Sequence, residues 1–137
     1  MSAPKTHDAI SLTNDPQQVR AAREDFAGAI EHFGFPREAA FAVMLAFDEA
    51  VANGLKYGAA QQPGGAIDLS WSVQKDRVRI VVDDHGPGFD PDNIPDCTLP
   101  ENIEKACGRG VMLMRAYMTS VEFNDKGNKV TLVYERN

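Results

Sequence analysis

The sequence predicts an α+β domain with helices packed on one face of a mostly antiparallel sheet. Three observations predict it. Two long stretches carry apolar residues at three- and four-residue spacing, and several short ones alternate apolar with polar. These elements follow the order strand, two helices, hairpin, long loop, helix, hairpin. The 137 residues suit a single domain spanning 1–137, and 43% hydrophobic with 25% charged residues is a globular balance.

The elements can be justified in order. Asp8 to Thr13 alternates polar and apolar and predicts a short strand. Asp15 before Pro16 predicts an N-cap with proline in the first turn, opening a helix that runs to about His32. Its apolar stripe is Val19, Ala22, Phe26, Ala29, Ile30 and Phe33, and Gly34 ends it. A second helix is expected from Pro36 to about Tyr57, stopped by Gly58. On it Val43, Phe47, Ala50, Val51 and Gly54 share a face that should pack on the sheet. Ile67, Leu69, Trp71 and Val73 alternate with polar residues; after Lys75-Asp76, Val78, Ile80 and Val82 do so again. This pattern predicts an antiparallel hairpin. Four of the eight prolines then fall between Asp84 and Arg109, marking a functional lid or a disordered insert. A short helix from Val111 to about Met118 and two strands, Ser120 to Phe123 and Lys129 to Tyr134, close the chain.

Composition excludes several function classes. The 14 basic against 20 acidic residues give a net charge of −6, which argues against direct nucleic-acid binding. No apolar run reaches the roughly 18 residues of a membrane span. The start lacks an apolar signal core, so the expected compartment is the cytoplasm. Cys97 and Cys107 are expected as free thiols, and His7, His32 and His85 show no metal-ligand spacing.

Three constellations carry chemistry. Glu49 and Asn53 lie four apart, one turn apart on one helix face, at the margin of the apolar stripe. A carboxylate there can take a proton and an amide oxygen can hold magnesium; the same spacing also fits two solvated polar residues. Asp84-His85-Gly86-Pro87-Gly88 leaves a strand end, where an aspartate can accept from a buried amino group and glycines admit a flat ligand; it also fits a tight turn. Gly108-Arg109-Gly110 opens a helix, where free amides and a guanidinium attract phosphate; it also fits a flexible hinge. Neither glycine motif is a Rossmann fingerprint or a P-loop.

Taken in order, these motifs resemble the N, G1 and G2 boxes of the Bergerat ATP-binding fold of the GHKL superfamily. That resemblance covers nearly the whole chain. It implies a two-layer α/β sandwich with a mixed, mostly antiparallel sheet. Within the superfamily, Phe47-Asp48-Glu49-Ala50-Val51-Ala52-Asn53 and Gly108-Arg109-Gly110-Val111-Met112-Leu113-Met114 resemble the anti-sigma factor serine/threonine kinases. The resemblance implies ATP and Mg2+ as cofactors, with Glu49 as the general base and Asn53 on the metal. It implies Asp84 on the adenine amino group, with Gly86 and Gly88 beside the base. Gly108, Arg109 and Gly110 would cradle the phosphates beneath a lid at about 89–107. The implied partners are a sigma factor and a STAS-type anti-sigma factor antagonist, with a homodimer as the assembly.

This chain departs from the pattern at Tyr57, where the family often has histidine, and in Gly127-Asn128-Lys129-Val130, where many superfamily members carry a threonine. Gly54 is also unusual inside a helix, and close approach to the sheet or to nucleotide would account for it. Three other readings compete with a kinase that sequesters a sigma factor. They are an ATP-binding partner-switching module without efficient transfer, a detached histidine-kinase catalytic domain, and a domain with no nucleotide site. Retention of Glu49 favours the enzyme over the module, since a binder needs no base. No dimerising hairpin with a phospho-accepting histidine supports the histidine-kinase reading.

Overall fold

The computed structural model describes residues 5–58, 65–85, 114–125 and 127–136, with backbone alone at 57 and 58. Its elements are β1 (His7–Thr13), α1 (Pro16–His32), α2 (Arg37–Asn53), a π-helical turn (Gly54–Gly58), β2 (Ala66–Val73), β3 (Arg77–Asp83), β4 (Ser120–Phe123) and β5 (Lys129–Glu135). The strands form one sheet in the order β1-β2-β3-β5-β4. All four pairings are antiparallel over the described residues, so the parallel component of the expected mixed sheet is not among them. The reason lies in the connections: the chain leaving β3 returns to the sheet at its edge as β4, which pairs with β5 alone.

Local chemistry sets the helix ends. The Gln17 amide donates to the Asp15 carboxylate at 2.9 Å, which satisfies one of the free donors of the first turn. Gly34 takes φ +64 and donates its amide to the Glu31 carbonyl at 3.0 Å, ending α1 where the sequence predicts. The turn between the helices is then pinned from outside. Arg136 donates to the carbonyls of Phe33, Gly34 and Lys75, and its guanidinium carbon lies 5.0 Å from the Phe35 ring centre. One side chain thereby ties the helix pair to the β2–β3 hairpin.

The core lies between the helices and one sheet face. Register places Ile67, Leu69 and Trp71 of β2 beside Val82 and Ile80 of β3 and Leu12 and Ile10 of β1 on that face. Ala22, Phe26, Ala29 and Ile30 of α1 and Val43, Phe47, Ala50 and Val51 of α2 are buried against it. Phe26 stacks on Phe47 at 4.5 Å and meets Trp71 edge-on at 5.4 Å, so three rings join both helices to the sheet. Residues 114–117 are helical, and Met114 and Met118 enter the same cluster.

Candidate functional site

The α2 stripe buries Val43, Phe47, Ala50 and Val51, which turns the polar margin of the same helix outward. Glu49 and Asn53 occupy that margin, both partly buried, as the sequence predicts. Asp48, immediately before Glu49, is engaged elsewhere: Arg23 Nε donates to its Oδ1 at 2.9 Å, joining α1 to α2. That hydrogen bond, with the charge of Asp48, holds the Arg23 guanidinium still more firmly protonated.

At Gly54 the α-helix gives way to a π-helical turn, so the regular helix stops short of the expected Tyr57. Glycine is required there for space, since its backbone is right-handed helical. A β-carbon at 54 would stand 2.9 Å from Val82 Cγ1 and 3.2 Å from Ile67 Cγ2. The end of α2 therefore rests directly on β2 and β3. Val82 is two residues before Asp84, so this contact sets the end of α2 on the strand that leads to Asp84.

Asp84 is partly buried just past β3. Its amide donates to the Asn128 carbonyl at 2.9 Å, extending the β3–β5 ladder one residue beyond Asp83 and Lys129. The turn supplying that carbonyl is itself fixed. Asn124 Nδ2 donates to Asn128 Oδ1 at 2.7 Å, and Asn124 Oδ1 accepts from the amides of Asn128 and Lys129. Gly127, at φ +73, closes the turn.

His85 then carries the chain out of the sheet at φ +57, a left-handed conformation uncommon for a residue with a side chain. Its amide donates to Asp83 Oδ1 at 3.0 Å, and its ring lies 2.6 Å from Asp68 Oδ2 through Nε2 and 3.4 Å from Asp83 Oδ1 through Nδ1. The hydrogen bond to Asp68 raises the imidazole pKa above its ordinary 6.5, with the charges of Asp83, Asp68 and Asp84 adding to it. Asp68 and Asp83 are register partners, an unfavourable like-charge pair that a protonated His85 between them offsets.

This lock and the asparagine turn brace the strand end that carries Asp84, and the motifs did not reveal them. A signal for the lock existed. Centring the β2–β3 hairpin on Lys75-Asp76 places Asp68 opposite Asp83, and hence near His85. The remaining expected site residues, Gly86, Gly88, Gly108, Arg109 and Gly110, lie outside the described residues, as do the 89–107 lid, Cys97 and Cys107. A shallow groove of about 410 Å³ occurs on the opposite sheet face, lined in part by Ser11, Asp68, Ser70, Asp83 and Lys129. It includes neither Glu49, Asn53 nor Asp84, so it is separate from the candidate site.

The donor set fits a magnesium–nucleotide: an amide oxygen, a carboxylate on the same helix face, and a second carboxylate at a strand end. Among the described residues no three His, Cys, Asp or Glu side chains gather around a possible ion. A metal here would accordingly rest on Asn53, phosphate oxygens and water, the usual manner of magnesium at phosphates. Nor is any helix among the described residues long and apolar enough to cross a membrane.

Comparison with known proteins agrees with this geometry. The chain is similar to the serine-protein kinase RsbW of Oceanobacillus iheyensis, 28% identical over 117 residues that cover 81% of this chain and 74% of that protein. Against the serine-protein kinase RsbW of Listeria innocua it is 27% identical over 135 residues, covering 92% and 86%. With the Bacillus subtilis protein of the same name the identity is 25% over 120 residues, covering 82% and 74%. The anti-sigma kinase resemblance read from the motifs agrees with these names. The profile of the histidine kinase-like ATPase domain matches residues 12–134, β1 through β5, and the chain belongs to that family.

Proposed function

We propose that the protein is an ATP- and Mg2+-dependent serine/threonine protein kinase that also acts as an anti-sigma factor. In this reading it sequesters a sigma factor and phosphorylates a STAS-type antagonist. The observation that supports it is the close approach of Gly54, at the end of the helix bearing Glu49 and Asn53, to Val82, two residues before Asp84. The names of the relatives supply the class of acceptor.

Each residue then has a distinct task. Asp84 accepts a hydrogen bond from the adenine amino group. Asn53 holds magnesium through its amide oxygen. Glu49 takes the proton of the acceptor hydroxyl as its oxygen bonds to the γ-phosphorus and the bond to the ADP oxygen breaks. Mg2+, held by Asn53, would neutralise charge on the phosphates of ATP, the phosphoryl donor. Little covalent work is left to the protein, so positioning, one base and charge neutralisation make a sufficient set. Gly86, Gly88, Gly108, Arg109 and Gly110 complete the proposal as base- and phosphate-facing residues beneath a lid at 89–107, in a homodimer. With a net charge of −6, control of transcription would run through protein partners.

The test compares two substitutions on one helix. Glu49→Ala should bind Mg2+–ATP like the wild type and lose about 10²–10⁴-fold in antagonist phosphorylation, read by intact mass. Asn53→Ala should weaken nucleotide binding chiefly in the presence of magnesium. The two positions are one turn apart, so helix damage common to both cannot produce opposite signatures. If Glu49→Ala transfers phosphate at the rate of an active wild type, Glu49 is not the base; if the wild type itself transfers none, the partner-switching module without efficient catalysis becomes the better reading. The Tyr57 departure already points in that direction.

A further inference from the structure

We infer that Gly54 is a positioning residue for the nucleotide site: its missing side chain sets the spacing between the helix bearing Glu49 and Asn53 and the strand leading to Asp84. The inference rests on the proposed nucleotide reading and adds a residue that the motif chemistry leaves unused.

The argument starts from what Gly54 touches. A β-carbon there would meet Val82 Cγ1 at 2.9 Å, Ile67 Cγ2 at 3.2 Å and Ile67 Cδ1 at 3.7 Å. Neither neighbour can yield easily. Val82 and Ile67 are 3% and 0% exposed, and both are β-branched residues in strands, stiff at χ1. Leu69, the register partner of Val82, is buried beside it. The softer element is the helix end, because α2 passes into a π-helical turn at this residue. Restoring an ordinary carbon–carbon separation of about 3.5–4.0 Å from 2.9 Å requires the helix end to lift by about 0.6–1.1 Å. Asn53 is the adjacent residue and Glu49 is one turn further back, so both move with it. Asp84 stays behind, because its strand is held by β2 and β5 and its own amide by Asn128. A displacement of about 1 Å between groups that must act together costs about 10²-fold in rate.

The geometry also predicts a signature that general loosening would not give. Base recognition sits on the unmoved strand and metal binding on the moved helix, so the two should separate. Gly54→Ala should bind ATP without magnesium within about threefold of wild type, since the strand-borne contact is unchanged. With magnesium it should bind at least about tenfold more weakly, and transfer should slow by about 100-fold. Val82→Ala removes the obstructing Cγ1 and makes room. The Gly54→Ala/Val82→Ala protein should therefore regain the magnesium-dependent affinity of Val82→Ala alone.

The experiment is calorimetric titration of wild type, both single variants and the double variant with ATP, with and without Mg2+, alongside thermal unfolding of each. Should Gly54→Ala fail to fold, the double variant still decides, by matching or failing to match Val82→Ala. Equal magnesium-dependent binding by folded Gly54→Ala and wild type overturns the inference. So does a double variant with the magnesium-dependent affinity still lost. Wild-type protein that binds no ATP overturns the nucleotide reading itself, and the same titration shows which of the two has failed.

Discussion

Replacing Phe47 with alanine removes the ring through which α2 grips the rest of the core, two residues before Glu49. Phe47 is 1% exposed, and its ring is stacked on Phe26 at 4.5 Å with only 11° between the planes. Phe26 in turn meets Trp71 of β2 at 5.4 Å. Truncating a fully buried phenylalanine costs about 3–5 kcal/mol, as lost transfer free energy plus the cavity that remains. Domains of this kind have only about 5–15 kcal/mol in total, so the variant should fold but be marginal. At the entropy of unfolding usual for this length, the loss corresponds to a fall in melting temperature of about 10–17 °C. Phe47→Leu keeps most of the volume and loses the stack, and should cost about 1–2 kcal/mol. The assay is urea unfolding followed by tryptophan emission. Trp71 is the sole tryptophan and is 3% exposed, so its spectrum reports this part of the core. A double-mutant cycle with Phe26→Leu should return a coupling of about 0.5–1.5 kcal/mol. A loss below about 1 kcal/mol for Phe47→Ala, with an unchanged denaturant slope, would falsify the view that this stack holds α2 on the sheet.

Two further outcomes follow from the strand end. Asp84→Asn keeps the backbone bond to Asn128 but, in the proposed role, turns part of an acceptor into a donor toward the adenine amino group. ATP affinity should fall about ten- to a hundredfold, from a mismatch of about 1–3 kcal/mol, and unchanged affinity in calorimetry on the folded variant removes the adenine assignment. His85 gives a pH dependence whose sign is fixed. Its folded pKa is raised by Asp68, Asp83 and Asp84, so its stabilisation is complete below about 6.5 and is lost as pH rises through the folded value. Because the His85 and Asp68 side chains are 54% and 62% exposed, the effect is at most about 1 kcal/mol. The melting-temperature difference between wild type and His85→Gln should shrink from about pH 5.5 to about 8.5, and a difference that grows with pH reverses the assignment.

Much of the scaffold was legible because its causes are local. Asp15 caps α1 through its own carboxylate and Gly34 stops it at positive φ, as composition alone suggests. The strands announce themselves by alternation, and their buried residues are the alternating ones. What stayed hidden has causes distant in sequence. Helical periodicity runs smoothly through Asn53 and Gly54 toward Tyr57, yet at Gly54 the α-helix passes into a π-helical turn, at the residue where a β-carbon would meet Val82 and Ile67. Of the reasons suggested for Gly54, close approach to the sheet is observed. Likewise Asp68 is 17 residues from His85, and only strand register brings them to 2.6 Å.

The same distinction bears on which side chains serve function. Packing accounts for Val43, Phe47, Ala50, Val51 and Gly54 of the α2 region, since each is buried against neighbours that a change of volume would disturb. Asp48 is accounted for by its bond to Arg23. Among the described residues no such demand explains Glu49 or Asn53. Both are partly buried on the helix margin, where a longer apolar side chain or an alanine would fit the helix as well. Folding fixes where these two residues stand without requiring what they are. A carboxylate and an amide held at the margin of a rigid helix, over a strand that ends in an aspartate, are therefore the residues whose chemistry needs a reason outside the fold. Since that margin is positioned by the core, the groups proposed to accept the proton and hold the metal would need little rearrangement to act, which is what a phosphoryl-transfer site asks of its scaffold.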